Sequence, residues 1–457
     1  MSTIRQPAVA GRFYPGDPRV LGAAVDGYLS EAGDLWDMRP KAIIAPHAGY
    51  VFSGAIAGTA FAAVRALAHE IRRVVLLAPA HRLGFPGLAV PAADAFATPL
   101  GHVPVDRDGV ATALAQPGVQ VLDAAFDGEH ALEVELPFLQ RVLQEFRLVP
   151  LLVGSATAEQ VDGVLSALWG GAETLIVISS DLSHYNDDPT ARKLDGTASR
   201  AIETIDPAAL NGHFACGYRA ITGLLLRARA LDLRATTLDL RNSGDAAVGS
   251  RDRVVGYGAY AFEYAEGAQL PAPYRERLMG LVHRTLERVV AGEAEAPVDL
   301  SGYPLPLRAV RNTFVTLELN GRLRGCVGTI QPMLPLAADV AANTRKAAVS
   351  DRRFKPLTKD ELPGITASIS ILSHNRPLAF TSEADLLAQL RPGVDGLIIR
   401  DGDRRALFLP KVWDTLPDGR QFLAQLKSKA GLAQGYWSDT LKAWRFTTET
   451  FGDRTAG

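Results

Sequence analysis

Cysteine is nearly absent: Cys216 and Cys326 are the only two in 457 residues, and they lie far apart. A disulfide framework is excluded, and each thiol is read as a separate chemical group. Also missing is any run of the ~20 uninterrupted apolar residues that a membrane helix needs, so no span is expected. The opening stretch MSTIRQPAVAGRFYPGDP has neither a basic segment followed by a long apolar one nor a small-residue cleavage site. Nothing there marks the chain for secretion, and a cytoplasmic location is the expectation. Internal repeats and low-complexity tracts are lacking. An RNA-recognition aromatic signature and a zinc knuckle are lacking too, so nucleic acid is not an expected partner.

What is present is the composition of a soluble globular protein, 47% apolar and 21% charged. A chain of 48.9 kDa is too long for one ordinary core, and two domains are expected. The net charge of −2 hides an asymmetry. Residues 1–270 carry 22 basic and 30 acidic side chains and residues 271–457 carry 26 and 20, so the two parts stand at −8 and +6. This fits domains of separate origin, and a basic second part suits an anionic partner or the acidic first part.

Through residue 240, short apolar runs alternate with amphipathic or alanine-rich stretches, as in KAIIAP (41–46), RRVVLLAP (72–79), FRLVPLLVG (146–154) and ETLIVISS (173–180). Such alternation predicts an α/β domain, a mostly parallel sheet flanked by helices. RVVGYGAYAFEY (253–264) reads as its last strand, closing a domain over 1–265, and 266–274 reads as a linker with two prolines. Beyond it, 275–457 reads as α+β: an amphipathic helix over 275–292, a hairpin around Asn320-Gly321, further strands at 365–372 and 396–410, and helices at 334–349 and 421–432.

Three of the apolar runs finish in a histidine: AIIAP at His47, VVLLAPA at His81 and LIVISSDLS at His184, with Asp181 three residues before the last. In an open parallel sheet the C-terminal strand ends border one crevice, so these imidazoles can meet. Neutral imidazole ligates metals and transfers protons near neutral pH, which points to a metal or acid/base site. The glycines Gly49 and Gly54 beside His47 are expected to let a ligand approach the backbone. GEHALEVELPFLQRVL (128–143) reads as an amphipathic helix with Glu129 as an acid at its positive end and His130 projecting beyond its apolar face. Cys216 precedes another helical run, and a helix N-terminus favours the thiolate that binds metals. His69, His102 and His213 have ordinary surroundings and read as surface or packing residues.

PHAGYVFSG, the PAH turn at His81, GEHALEVELPFLQ, SSDLSHY and the CG at 216–217 stand in this order, and with them residues 1–265 resemble the Memo family. In bacteria its members are called AmmeMemoRadiSam system protein B, and their fold is similar to class III extradiol dioxygenases of the LigB type. The resemblance implies metal ligation by His47, His81 and Cys216, with Asp181 and His184 lining the site and His130 nearby. In the related dioxygenases, iron(II) is held by two histidines and a carboxylate and activates O2 and a catechol, while neighbouring histidines handle protons. The resemblance makes iron(II) the expected metal; a thiolate in place of the carboxylate is softer and would also suit copper or zinc.

In the second domain, LNGRLRGCVGTI (319–330) places Arg324 and Cys326 on one face of a strand, where a guanidinium can lower a thiol pKa. The basic residues Arg345, Lys346, Arg352, Arg353 and Lys355 read as an anion site or a solvated face. RLRGCVGT, SDRRFKPLTKDEL and ITASISILS resemble the AMMECR family, AmmeMemoRadiSam system protein A, over residues 275–455. The system's name implies a radical S-adenosylmethionine protein as partner. With only two cysteines this chain cannot hold such a protein's three-cysteine cluster itself. The expectation is a metal-dependent, oxygenase-like redox enzyme acting on a small molecule, in which His184 is the base, His130 a proton donor or oxygen-polarising group and Asp181 their neighbour. The alternative is a non-catalytic iron- or copper-binding scaffold that recruits a partner through the basic AMMECR domain.

Overall fold

The apolar runs of the first part become strands of one sheet: β1 (Ala42–Ala45), β2 (Arg73–Pro79), β3 (Leu88–Val90), β4 (Val119–Val121), β5 (Arg147–Val153), β6 (Thr174–Ser179), β7 (His184–Asn186), β8 (Leu233–Asn242) and β9 (Val254–Tyr264). The structure is a computed structural model that describes residues 3–453 except 33–34, 36–37, 265–268, 310, 331–333 and 374. The strand order is β7-β9-β1-β6-β2-β5-β3-β4, with β8 paired to β9. β1, β6, β2 and β5 run parallel at the centre. On one side β9 pairs antiparallel with β1, β7 and β8, and on the other β3 pairs antiparallel with β5. The sheet is therefore mixed: its parallel part is narrower than the expected mostly parallel arrangement. Every residue of β1 and β6 is buried, as strands covered on both faces require.

Because β1, β6 and β2 are parallel neighbours, their C-terminal ends lie side by side at one edge. His47 stands two residues past β1, His81 two past β2, and Asp181 two past β6. His184 arrives differently. β6 stops at Ser179, and His184 opens β7, which pairs antiparallel with β9 rather than continuing the parallel strand. Nor does Gly54 belong to a ligand-binding turn. Gly49 is the N-cap of a helix over Tyr50–Ala62, and Gly54 lies one turn inside it. A Cβ on Gly54 would stand 2.5 Å from the Tyr28 ring, and one on Gly58 2.7 Å from the Tyr28 backbone, so these glycines admit a neighbouring residue of the protein itself.

The segment read as one helix over 128–143 divides. A 3-10 turn covers Glu133–Glu135 and an α-helix covers only Leu136–Val142, begun by Pro137 in its first turn, a position where proline is preorganised for helix. His130 lies ahead of both. The preceding loop is anchored instead by Glu133, whose side chain is fully buried. Arg5 Nη1 donates to Glu133 Oε2 at 3.0 Å, and the backbone N–H groups of Ala8 and Val9 and the Tyr14 hydroxyl donate to the same carboxylate at 2.7, 2.9 and 2.7 Å. Arg5 also donates to the carbonyls of Phe126 and Glu129.

Contacts divide the chain into units Met1–Pro271 and Ala272–Gly457. The expected boundary at 265 and residues 266–268 of the expected linker lie outside the described residues, and a helix over Ala272–Val290 begins within the linker's other end. The second unit adds β10 (Thr313–Leu319), β11 (Arg322–Gly328), β12 (Ile365–Leu372), β13 (Arg376–Leu378), β14 (Gly396–Asp401), β15 (Arg404–Phe408), β16 (Lys442–Phe446) and β17 (Thr448–Gly452). They form two antiparallel sheets, ordered β11-β10-β12-β17 and β13-β16-β14-β15. Asn320 and Gly321 between β10 and β11 have φ of 50° and 78°, the left-handed pair that a two-residue hairpin turn of this kind requires. No helix among the described residues is long and apolar enough to cross a membrane.

Glu133→Ala removes the one carboxylate that the largely buried Arg5 guanidinium pairs with among the described residues, and breaking a buried ion pair costs about 3–5 kcal/mol. The expected result is a lower urea midpoint for the first unit. A shift worth under about 1 kcal/mol would show that Glu133 does not anchor the loop.

Candidate metal centre

His47 is 1% exposed, and its surroundings are supplied by β6 and the turn after it. Its backbone N–H donates to Asp181 Oδ1 at 2.8 Å, its Nδ1 lies 2.8 Å from Ser179 Oγ, and its Nε2 lies 3.3 Å from Cys216 Sγ. Cys216 is fixed from the same turn. Its N–H donates to the Asp181 carbonyl at 3.3 Å, its Sγ lies 3.6 Å from that oxygen, and Gly217, N-cap of the helix Tyr218–Leu231, donates to Ser180 Oγ at 2.9 Å. Asp181, expected beside the catalytic bases, turns its carboxylate onto the backbone of a candidate ligand.

His81 is oriented by Glu129. Its backbone N–H donates to Oε2 at 2.7 Å and its Nδ1 to Oε1 at 3.0 Å, which leaves Nε2 free. Glu129 accepts two further backbone N–H groups, from His130 at 2.9 Å and Ala131 at 3.0 Å. It is a carboxylate that aims a histidine, not the helix cap that its sequence position suggested. His130 stacks on His81 with ring centres 5.0 Å apart and meets His47 edge-on at 5.6 Å. His184 donates Nδ1–H to the Leu182 carbonyl at 2.8 Å, so its Nε2 is also unprotonated in the neutral ring. One ligand atom each from His47, His81 and Cys216 lie within 4.8 Å of one another. A second grouping at the same spacing, His81, Glu129 and His130, is weaker as a metal site because the Glu129 oxygens are already occupied.

A family model described as a Memo-like protein matches residues 5–261, more than half of the chain. The chain belongs to the Memo-like family. A second family model, AMMECR1, matches residues 279–451, so a Memo-like unit and an AMMECR1 unit stand in one chain. A MEMO1 family protein of Archaeoglobus fulgidus is 34% identical over 275 residues, covering 57% of this chain and 99% of that protein. One of Aquifex aeolicus is 35% identical over 267 residues, covering 56% and 97%. One of Methanosarcina barkeri is 34% identical over 276 residues, covering 57% and 100%. A crystal structure of an uncharacterised protein from Pyrococcus horikoshii is similar over 40% of this chain and 93% of its own, at 29% identity and a TM-score of 0.37, a value that carries no argument.

Burial acts on each of these titratable groups of the centre. Burial holds His47 well below the usual imidazole range, and the neighbouring His81, His130 and His184 act in the same direction. Burial likewise lowers His130 against the pull of Glu129, and lowers His184 against its bond to Leu182. These rings are therefore neutral at pH 7, with lone pairs available. For Glu129, burial opposes ionisation, but the His81 ring and backbone hydrogen bonds outweigh it and hold the carboxyl at about 2. Burial pushes Asp181 up to about 7. Cys216 departs from its expectation. Burial and the Asp181 charge push the thiol up to about 12, so the helix N-terminus does not make it acidic. The thiolate requires a cation to replace its proton.

Two residues of this centre were not foreseen: Ser179, buried beneath His47, and Glu135, buried beneath Ser179. In the AMMECR1 unit, Arg324 and Cys326 share β11, but the Arg324 guanidinium makes a two-pronged bond to Glu361 at 2.8 and 2.9 Å. The groups on Cys326 are others: its N–H donates to Asp351 at 2.9 Å, Thr316 Oγ1 lies 3.4 Å from its Sγ, and Arg353 bonds its carbonyl at 3.3 Å. Of the basic cluster, Arg353 is paired with Asp351 and Arg345 reaches the Glu293 carbonyl.

In metal-free Cys326→Ser protein, alkylation of Cys216 at pH 8 is expected to run about a thousandfold slower than that of a free cysteine, because so little thiolate is present. Its rate should keep rising above pH 9, where a free thiol has levelled off. A plateau near pH 9 would contradict the burial argument.

Proposed function

We propose that the Memo-like unit is a mononuclear non-haem iron centre of an oxygenase-like redox enzyme acting on a small molecule, held by His47, His81 and Cys216. The observation that carries this reading is the donor set. Three ligand atoms converge within 4.8 Å, while two further imidazoles are not needed as ligands: His130 stacks on His81, and His184 is near enough to act on the charge of His47. A structural site closes with four protein ligands, whereas a catalytic one keeps a position open. The side chains of His81 and His130 are 30% and 22% exposed, which gives the site an approach from solvent. Two imidazoles and a sulfur suit iron(II), copper and zinc alike. The resemblance to extradiol dioxygenases puts iron(II) first.

The bound metal would supply Lewis-acid and redox chemistry. Around it, His184 holds its Nδ1 proton on the Leu182 carbonyl and presents Nε2 as a base. His130, whose Nδ1 lies 3.3 Å from Glu129, would serve as proton donor when it is protonated or as an oxygen-polarising group when it is neutral, and Asp181 holds the His47 backbone in place. The AMMECR1 unit would be the accessory that meets a radical S-adenosylmethionine protein of the same system. A scaffold that only holds iron or copper is the second reading, supported by the near-complete burial of His47.

Elemental analysis of anaerobically purified protein should find near-stoichiometric iron that is lost in His47→Ala and in Cys216→Ser. His184→Ala should keep the metal and lose substrate-dependent O2 uptake in a small-molecule screen. Wild-type protein that holds no metal after reconstitution would sink the metal reading. Metal retained with no turnover in any variant would favour the scaffold.

A further inference from the structure

Beneath His47 lies a hydrogen-bond junction whose protons can be counted. Ser179 Oγ is 2.8 Å from His47 Nδ1, 2.7 Å from the Ala131 carbonyl and 2.7 Å from Glu135 Oε1. A serine hydroxyl has one proton to give and two lone pairs that accept. The Ala131 carbonyl has no proton, so the Ser179 proton belongs to it. The other two neighbours must then donate, His47 from Nδ1–H and Glu135 from a protonated carboxyl. A carboxylate at Glu135 would leave two acceptor oxygens 2.7 Å apart with no proton between them.

The rest of the Glu135 environment agrees. Its side chain is fully buried, and Oε2 has no hydrogen-bond partner among the described residues. An ionised carboxylate in that setting would be left without the donors that buried charge requires. Burial, with the Asp181 charge nearby, drives the carboxyl well above its usual range; a Ser179 hydroxyl donating to it would pull the other way, but that proton is held by the Ala131 carbonyl.

We infer that Glu135 is a neutral carboxylic acid which, through Ser179, sets the tautomer of His47, so that Nδ1 carries the proton and Nε2 keeps its lone pair towards Cys216 and the metal position. Ser179 and Glu135 are thus positioning residues. With Glu135 donating to it and its own proton on Ala131, the hydroxyl can only accept from Nδ1. If Ser179 turned its proton to Nδ1, the imidazole would carry hydrogen on Nε2 and could not ligate there. Orientation of a ligating histidine by the group on its other nitrogen is the general device, and loss of such a partner costs 10–100-fold in metal affinity. The consequence for metal rests on the reading of the site proposed above, whereas the proton arrangement does not.

The test is made on the full chain, first without metal. Nitrogen-15 histidine NMR should show His47 protonated at Nδ1 and bare at Nε2. Infrared difference spectra should show the carbonyl band of a protonated carboxyl that disappears in Glu135→Gln. Iron(II) affinity should change by less than about threefold in Glu135→Gln, whose amide N–H replaces the O–H donor. It should fall by about 10–100-fold in Ser179→Ala and Glu135→Leu. An Nε2–H tautomer in wild type, absence of the carboxyl band, or Glu135→Gln as damaging as Glu135→Leu would overturn the inference. Should Glu135→Leu fail to fold, the wild-type spectra and the Gln variant still decide. An Nδ1–H His47 and a protonated Glu135 in a protein that binds no metal would support the proton arrangement and overturn the metal reading alone.

Discussion

The parallel register of β1 on β6 pairs Ala45 with Ser179. From that pairing the site is assembled: His47, two residues past Ala45, drops its ring onto Ser179 and its backbone onto Asp181, and the Asp181 carbonyl in turn receives Cys216. A slip of one residue would send every side chain of β1 to the opposite face and separate all of these contacts. The register is pinned by burial on both faces of both strands, so the geometry of the centre depends on the hydrophobic core more than on the polar groups that compose it.

Three glutamates of one short stretch, GEHALEVE, show how partners decide what a buried carboxyl does. Glu129 is held ionised by the His81 ring and three backbone N–H groups. Glu133 has a guanidinium, two N–H groups and a phenol. Glu135 has one hydroxyl and an orphan oxygen. All three are buried, so desolvation does not distinguish them; the number and sign of donors does. The first aims a ligand, the second fastens a loop, and the third serves as a neutral acid.

Parts of this were legible in the sequence. His47 and His81 close apolar runs, and because those runs became parallel strands on either side of β6, the rule about strand ends brought them together. His184 was found for the wrong reason: ISSDLSH reads as one continuing run, but the chain leaves the sheet at Ser180 and returns on an antiparallel strand. The helix expected over 128–143 failed because periodicity registers the apolar face of HALEVELPFL and not the long-range bonds of its acids, which hold the first half out of helical form. Ser179 and Glu135 carry no sequence signature, since a serine ending a buried strand and a glutamate in an apolar stretch acquire meaning only from a third residue. The reactivity expected of Cys216 came from a local feature, a helix start, and burial by distant residues overrode it.

The fastening of Glu133 has a further consequence. Arg5, Ala8, Val9 and Tyr14 hold the loop that carries Glu129 and His130, and the Phe13 ring meets His130 edge-on at 4.9 Å. The segments 5–14 and 126–133 therefore belong to one cooperative opening unit, and backbone amides in both should exchange with solvent at matched rates. Any widening of the centre that moves the His81–Glu129 side has to strain the bonds that Arg5, Ala8, Val9 and Tyr14 make to Glu133.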